Sequence, residues 1–141
     1  MLIHILRTWL AVADPHQLRP SWLAALRDPT IGAALAALHT DPARPWTVET
    51  LAGHIAVSRA TLARRFTTLV GDTPNSYLTR WRMDLAAHRL RTTPDPIAPI
   101  ARSVGYTSEY AFNRAFTRVH SLTPGRYRAH HHSQSHTSPG H

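Results

Sequence analysis

The feature that most constrains this chain is an internal repeat: residues 58–77 lie over residues 108–127 at an offset of fifty without a gap. Seven of the twenty positions are identical: Ser58/Ser108, Arg64/Arg114, Phe66/Phe116, Thr67/Thr117, Thr73/Thr123, Pro74/Pro124 and Tyr77/Tyr127. Leu62/Phe112 and Leu69/Val119 match in character. A stretch copied at a fixed period is one structural unit used twice, so the fold has to build the same local structure twice.

Each copy reads as two helices joined by a tight turn. In the first, Thr47 caps a short helix over Val48–His54, with Glu49 in the first turn, where the helix dipole favours an acid. Ile55, Ala56 and Val57 make the turn, and Ser58 caps a second helix. Its apolar residues Leu62, Phe66 and Leu69 recur at i, i+4 and i+7, so one stripe faces a core. The opposite face carries Arg59, Ala60, Ala63 and Arg64. In the second copy, a short helix from Ile97 to about Ser103 is followed by a turn one residue longer, Val104 to Thr107. Ser108 then caps a helix over Glu109–Val119, with Phe112 and Phe116 inward and Glu109, Tyr110, Asn113 and Arg114 outward. Between the copies, Pro74 opens a long helix over 74–91, which Thr92, Thr93 and Pro94 close.

Upstream, Leu2–Leu10 is a predicted first helix that ends at Asp14-Pro15, and Trp22–Arg27 is a second. Asp28-Pro29 pairs an N-cap with a proline at the first helical position and opens an Ala-rich helix to about His39. No segment alternates β-branched and polar residues as a strand does, so the fold class is all-α: two helix-turn-helix subdomains joined by a linking helix and preceded by N-terminal helices.

The formal net charge of +8 is unevenly spread. Residues 1–58 hold four Arg against four acids, whereas residues 59–128 hold twelve Arg against four. A polyanion is therefore expected at the repeat. The guanidinium forks suit bidentate contact with phosphates and guanines. Without cysteine there are no disulfides and no thiolate metal sites, and the expected compartment is the cytoplasm. The apolar run from Met1 to Ala13 is broken by His4 and Arg7 and falls short of the ~20 residues of a membrane span. No nucleophile–base spacing or phosphate loop is visible, so no enzyme activity, cofactor or metal site is expected.

These residues resemble the C-terminal DNA-binding domain of the AraC/XylS family of transcription regulators. The resemblance rests on Trp46–Ala52, Ser58-Arg59, Ala63–Phe66, Gly71–Pro74 with Tyr77, Trp81–Met83, Ile100-Ala101, Val104–Glu109, Ala111–Phe116, Thr123-Pro124 and Tyr127-Arg128. It sets three regions. Residues 1–45 form an N-terminal helical segment that offers a dimerisation surface, so the chain is a monomer or a homodimer. Residues 46–128 form the DNA-binding domain, with units at 46–71 and 96–121, and residues 129–141 form a disordered His-rich tail. One subgroup of the family carries an N-terminal cupin sensor; none is present in this sequence, so no small-molecule effector is expected.

The resemblance implies double-stranded DNA as partner, with RNA polymerase as a second, and regulation of transcription as function. The second helix of each unit would enter a major groove, with the linking helix setting a spacing of about one DNA turn, ~34 Å. Arg64 and Arg114 would pair with guanine, aided by Glu109, Tyr110 and Asn113, while Ala60 and Ala63 would touch thymine methyls. Thr47, Arg59, Arg82, Arg118 and Arg126 would meet phosphates. The rival expectation is a helical interaction module whose basic surface binds RNA or a protein. Two positions depart from the family pattern, since Ala56 and Ser121 stand where glycine is usual: Ala56 would strain the first turn if its φ is positive, and Ser121 would shift the end of the second recognition helix.

Overall fold

The computed structural model describes residues 20–136, all of whose regular elements are helices. They are α1 (Pro20–Arg27), α2 (Pro29–Thr40), α3 (Val48–His54), α4 (Arg59–Val70), α5 (Pro74–Thr92), α6 (Ile97–Ser103), α7 (Glu109–His120) and α8 (Pro124–His136). The helix predicted over Leu2–Leu10, with its dimerisation surface, lies outside the described residues, as do residues 137–141. The chain divides into two compact units, the first ending at Trp81 and the second beginning at Arg82, so each takes part of α5.

In the first unit, α4 packs against α1, α2 and α3. The helices that the sequence sets apart as an N-terminal segment thus cover the apolar stripe of α4. Ile31, Ala34, Leu35, Leu38, Leu51, Leu62 and Phe66 are fully or almost fully buried there. Asp28 starts α2 by accepting from the amides of Thr30 and Ile31, each at 3.0 Å. The same carboxylate binds Arg65 of α4; the Ile31 amide and the Arg65 charge hold it below the usual carboxylate range.

His39, near the end of α2, hydrogen-bonds through Nε2 to Tyr77 Oη, and its ring lies 4.6 Å from that of Trp81. Burial pushes its pKa from 6.5 down to about 4, so the imidazole is neutral in the folded unit. Between those two values an unfolded chain takes up a proton that the folded one declines, so stability is complete above pH 6.5 and is lost as pH falls toward about 4. Urea midpoints followed by tryptophan fluorescence should fall across that window, and His39→Gln should remove most of the slope. An unchanged slope in the variant would dismiss this assignment.

The second unit is built on Met83, Ala86, Ala87 and Leu90 of α5, Ile100 and Ala101 of α6, Val104 in the turn after it, Phe112 and Phe116 of α7, and Tyr127 of α8. Here the structure differs from the expectation of a disordered tail over residues 129–136, because α8 runs from Pro124 through His136. Tyr127 is buried at the edge of the Phe116 ring, with centroids 5.3 Å apart, and its hydroxyl accepts a hydrogen bond from Arg91. Arg128 donates to the carbonyls of Leu90 at 3.2 Å and Thr93 at 3.1 Å, closing the C-terminus of α5. These contacts order a helix whose own sequence is polar.

Four backbone positions at positive φ show the repeat in detail. In the first unit they are Ala56 at 60° in the turn and Gly71 at 83° after α4; in the second, Gly105 at 94° in the turn and Ser121 at 64° after α7. Each copy uses glycine at one of its two left-handed sites and a strained residue at the other. The cost of a Cβ there is about 1–2 kcal/mol, partly offset by the extra freedom that glycine gives the unfolded chain. Ala56→Gly and Ser121→Gly should therefore each stabilise their unit by about 0.5–1 kcal/mol in chemical denaturation. A loss of stability in both would show that neither position is strained.

Candidate nucleic-acid interface

The second helix of each unit is set by its caps and by the residues it buries. Ser58 Oγ accepts from the Thr61 amide at 3.1 Å, and Ser108 Oγ from the Ala111 amide at 3.2 Å. Leu62 and Phe66 anchor α4, and Phe112 and Phe116 anchor α7, all fully buried. With those stripes inward, the repeat-matched Arg64 and Arg114 are both exposed. Neither belongs to an ion pair among the described residues. The Arg114 guanidinium instead sits 5.7 Å from the centre of the Tyr110 ring.

Around Arg114, α7 presents Glu109, which is exposed, and Tyr110, which is 71% exposed and is the large apolar side chain left uncovered among the described residues. Asn113 is half-buried, and its Oδ1 is shielded without a hydrogen-bond partner. Tyr110, Asn113, Arg114, Thr117 and Arg118 line an open groove along this face. Thr117 was not among the residues singled out from sequence, although it follows Asn113 by four and so shares its face. On α4, Arg59 and Ala60 are exposed and Ala63 is half-buried. Arg59 pairs with Glu49 of α3 at 3.2 Å.

The residues expected at phosphates differ in how far they are already engaged. Thr47 hydrogen-bonds within the capping box of α3, where its Oγ1 accepts from the Thr50 amide at 3.1 Å and its own amide donates to Thr50 Oγ1 at 2.8 Å. Arg82 is half-buried, with its guanidinium 6.0 Å from the centre of the Tyr106 ring. Burial lowers the Arg82 pKa, and burial raises that of Tyr106. Arg118 and Arg126 are exposed. The arginine-rich block is thus not one undivided basic surface. Arg65, Arg80, Arg91 and Arg128 are held by Asp28, Asp72, Tyr127 and main-chain carbonyls respectively.

Two units of paired helices, each offering the outer face of its second helix, define a double helix-turn-helix protein. A helix-turn-helix domain family model matches residues 51–130. The chain is 54% identical over 130 residues to an AraC-like transcription regulator of Streptomyces lividans, covering 92% of this chain and 42% of that protein. It is 38% identical over 85 residues to the regulatory protein SoxS of Escherichia coli, covering 60% of this chain and 79% of SoxS. The chain belongs to the AraC/XylS family of helix-turn-helix regulators. Among solved structures, the DNA-binding domain of AdpA in complex with a target DNA superposes with a TM-score of 0.73 at 29% identity, covering 79% of this chain and 99% of that one. The chain spans about two-fifths of the length of the Streptomyces regulator it matches. No helix among the described residues is long and apolar enough to cross a membrane.

Proposed function

We propose that the chain binds double-stranded DNA sequence-selectively and regulates transcription, without catalysis of its own, in the cytoplasm. The observation that carries this reading is the pair of exposed arginines, Arg64 and Arg114, at one repeat position on both second helices and outside any ion pair among the described residues. A guanidinium left unpaired on a short polar helix face is suited to the O6 and N7 of guanine in a major groove. Glu109, Tyr110 and Asn113 assist on α7, and Ala60 and Ala63 offer methyl contact on α4. Arg118 and Arg126 are placed to meet phosphates with little rearrangement. Arg59 would first exchange Glu49 for a phosphate, a small cost for a pair this exposed. Thr47 and Arg82 complete the phosphate set, Thr47 through the start of α3. RNA polymerase is the second partner we propose.

Fluorescence anisotropy on mixed-sequence duplex and on single-stranded RNA tests the reading. Binding should favour duplex and weaken steeply as salt rises, through release of condensed counterions. Preference for RNA would instead support the basic interaction module.

A further inference from the structure

We propose that the two helix-turn-helix units read DNA unequally, the second supplying most of the sequence selectivity and the first accepting many sequences. The proposal rests on the DNA-binding reading above and specifies its target: a duplex with one closely defined stretch and one loosely defined stretch.

The repeat allows the two reading faces to be compared position by position. Glu109, Tyr110, Asn113 and Arg114 on α7 stand where α4 has Arg59, Ala60, Ala63 and Arg64. Every position on α7 carries a group that can distinguish bases, Asn113 once its half-buried amide turns its shielded Oδ1 outward. A carboxylate accepts from the cytosine amine, an amide pairs with adenine, a guanidinium pairs with guanine, and an aromatic face packs on a thymine methyl. Tyr110 and Glu109 are exposed, and the groove beside Tyr110 runs on past Asn113 and Arg114 to Thr117 and Arg118.

On α4 the same four positions hold much less information. Ala60 and Ala63 have only a methyl group to offer, and Ala63 is half-buried. Arg59 is engaged by Glu49 at 3.2 Å, and once released it meets a phosphate, which carries no sequence. Arg64 alone can pair with a base edge.

Glu109 adds discrimination by penalty. A carboxylate brought into a groove without a cytosine amine to meet it loses its hydration and gains repulsion from the backbone phosphates, so wrong sequences are rejected as well as right ones favoured. Its counterpart in the first unit is the opposite charge, Arg59, which tightens binding to any sequence.

Selection of bound duplexes from a random pool, with sequencing of the winners, tests this. We expect one stretch in which each wrong base costs about tenfold or more in affinity, and a second in which most positions matter by no more than about threefold. Arg114→Ala should flatten the defined stretch. Arg64→Ala should leave that stretch intact while lowering affinity. The double variant Ala60→Tyr, Ala63→Asn, which gives α4 the side chains of α7 on its exposed face, should sharpen the loose stretch. Two equally defined stretches, or loss of the stronger one in Arg64→Ala, would overturn the inequality and leave DNA recognition standing. No enrichment of any duplex sequence would overturn both.

Discussion

Phe116→Ala is expected to destabilise the second unit by about 3–5 kcal/mol, enough to leave much of it unfolded at ambient temperature. Phe116 is fully buried, and rings surround it: Phe112 at 5.8 Å, Tyr127 at 5.3 Å and His120 at 4.6 Å between centroids. Its removal takes away the transfer energy of a large side chain and leaves a cavity that three helices cannot close without losing their own contacts. The effect should stay local. All four tryptophans precede Arg82, and Trp46 and Trp81 are buried in the first unit, so their fluorescence follows that unit and amide exchange in α6 to α8 follows the second. The variant should lose exchange protection in α6 to α8 and keep a near-native fluorescence spectrum. A cost below about 1 kcal/mol, or loss of protection confined to α3 and α4, would contradict the core assignment.

Arg114→Ala is expected to cost about 1–3 kcal/mol in affinity for the preferred duplex and to relax selectivity at one base pair. Arg118→Ala, one turn further along the same helix, should weaken all sequences nearly equally and reduce the salt slope by about 1. Both side chains are exposed and neither has an ion-pair partner among the described residues, so the two variants should fold alike and differ only on DNA. Affinities measured across a set of single-base variants at two salt concentrations separate the roles. Uniform loss in both variants would reassign Arg114 to the phosphates.

The sequence carried the helices of both units well because their signals are local. Asp28, Thr47, Ser58 and Ser108 each cap the helix that follows them, and the i, i+4 spacing of Leu62 with Phe66 and of Phe112 with Phe116 marks the buried side. The strain expected at Ala56 was legible, since it adopts positive φ, whereas Ser121 does not shift the end of α7 as expected: the helix stops at His120, fifty residues after Val70 ends α4, and Ser121 takes the left-handed conformation instead. Helix α8 was missed although Thr123-Pro124 and Tyr127 repeat Thr73-Pro74 and Tyr77, the opening of α5. Its composition past Tyr127 is polar and rich in histidine, and what orders it is tertiary: the buried Tyr127 ring and the grip of Arg128 on α5. The exposed faces of α4 and α7 were legible from periodicity, but the sorting of the arginines was not. Whether an arginine is spent within the fold depends on which distant side chain lies opposite, as Asp28 does for Arg65 across 37 positions of sequence.

The bonds from Arg128 to the carbonyls of Leu90 and Thr93 move the practical end of the folded module beyond α7, the last helix proposed to face DNA. A chain cut back to His120 would keep every group proposed to read a base. It would also leave the edge of the Phe116 ring open to water and strip the last turn of α5 of its cap. Minimal fragments, fusions and grafted chimaeras built on this fold should therefore be trimmed after α8, because in this protein the recognition surface and the smallest autonomous fold do not share a boundary.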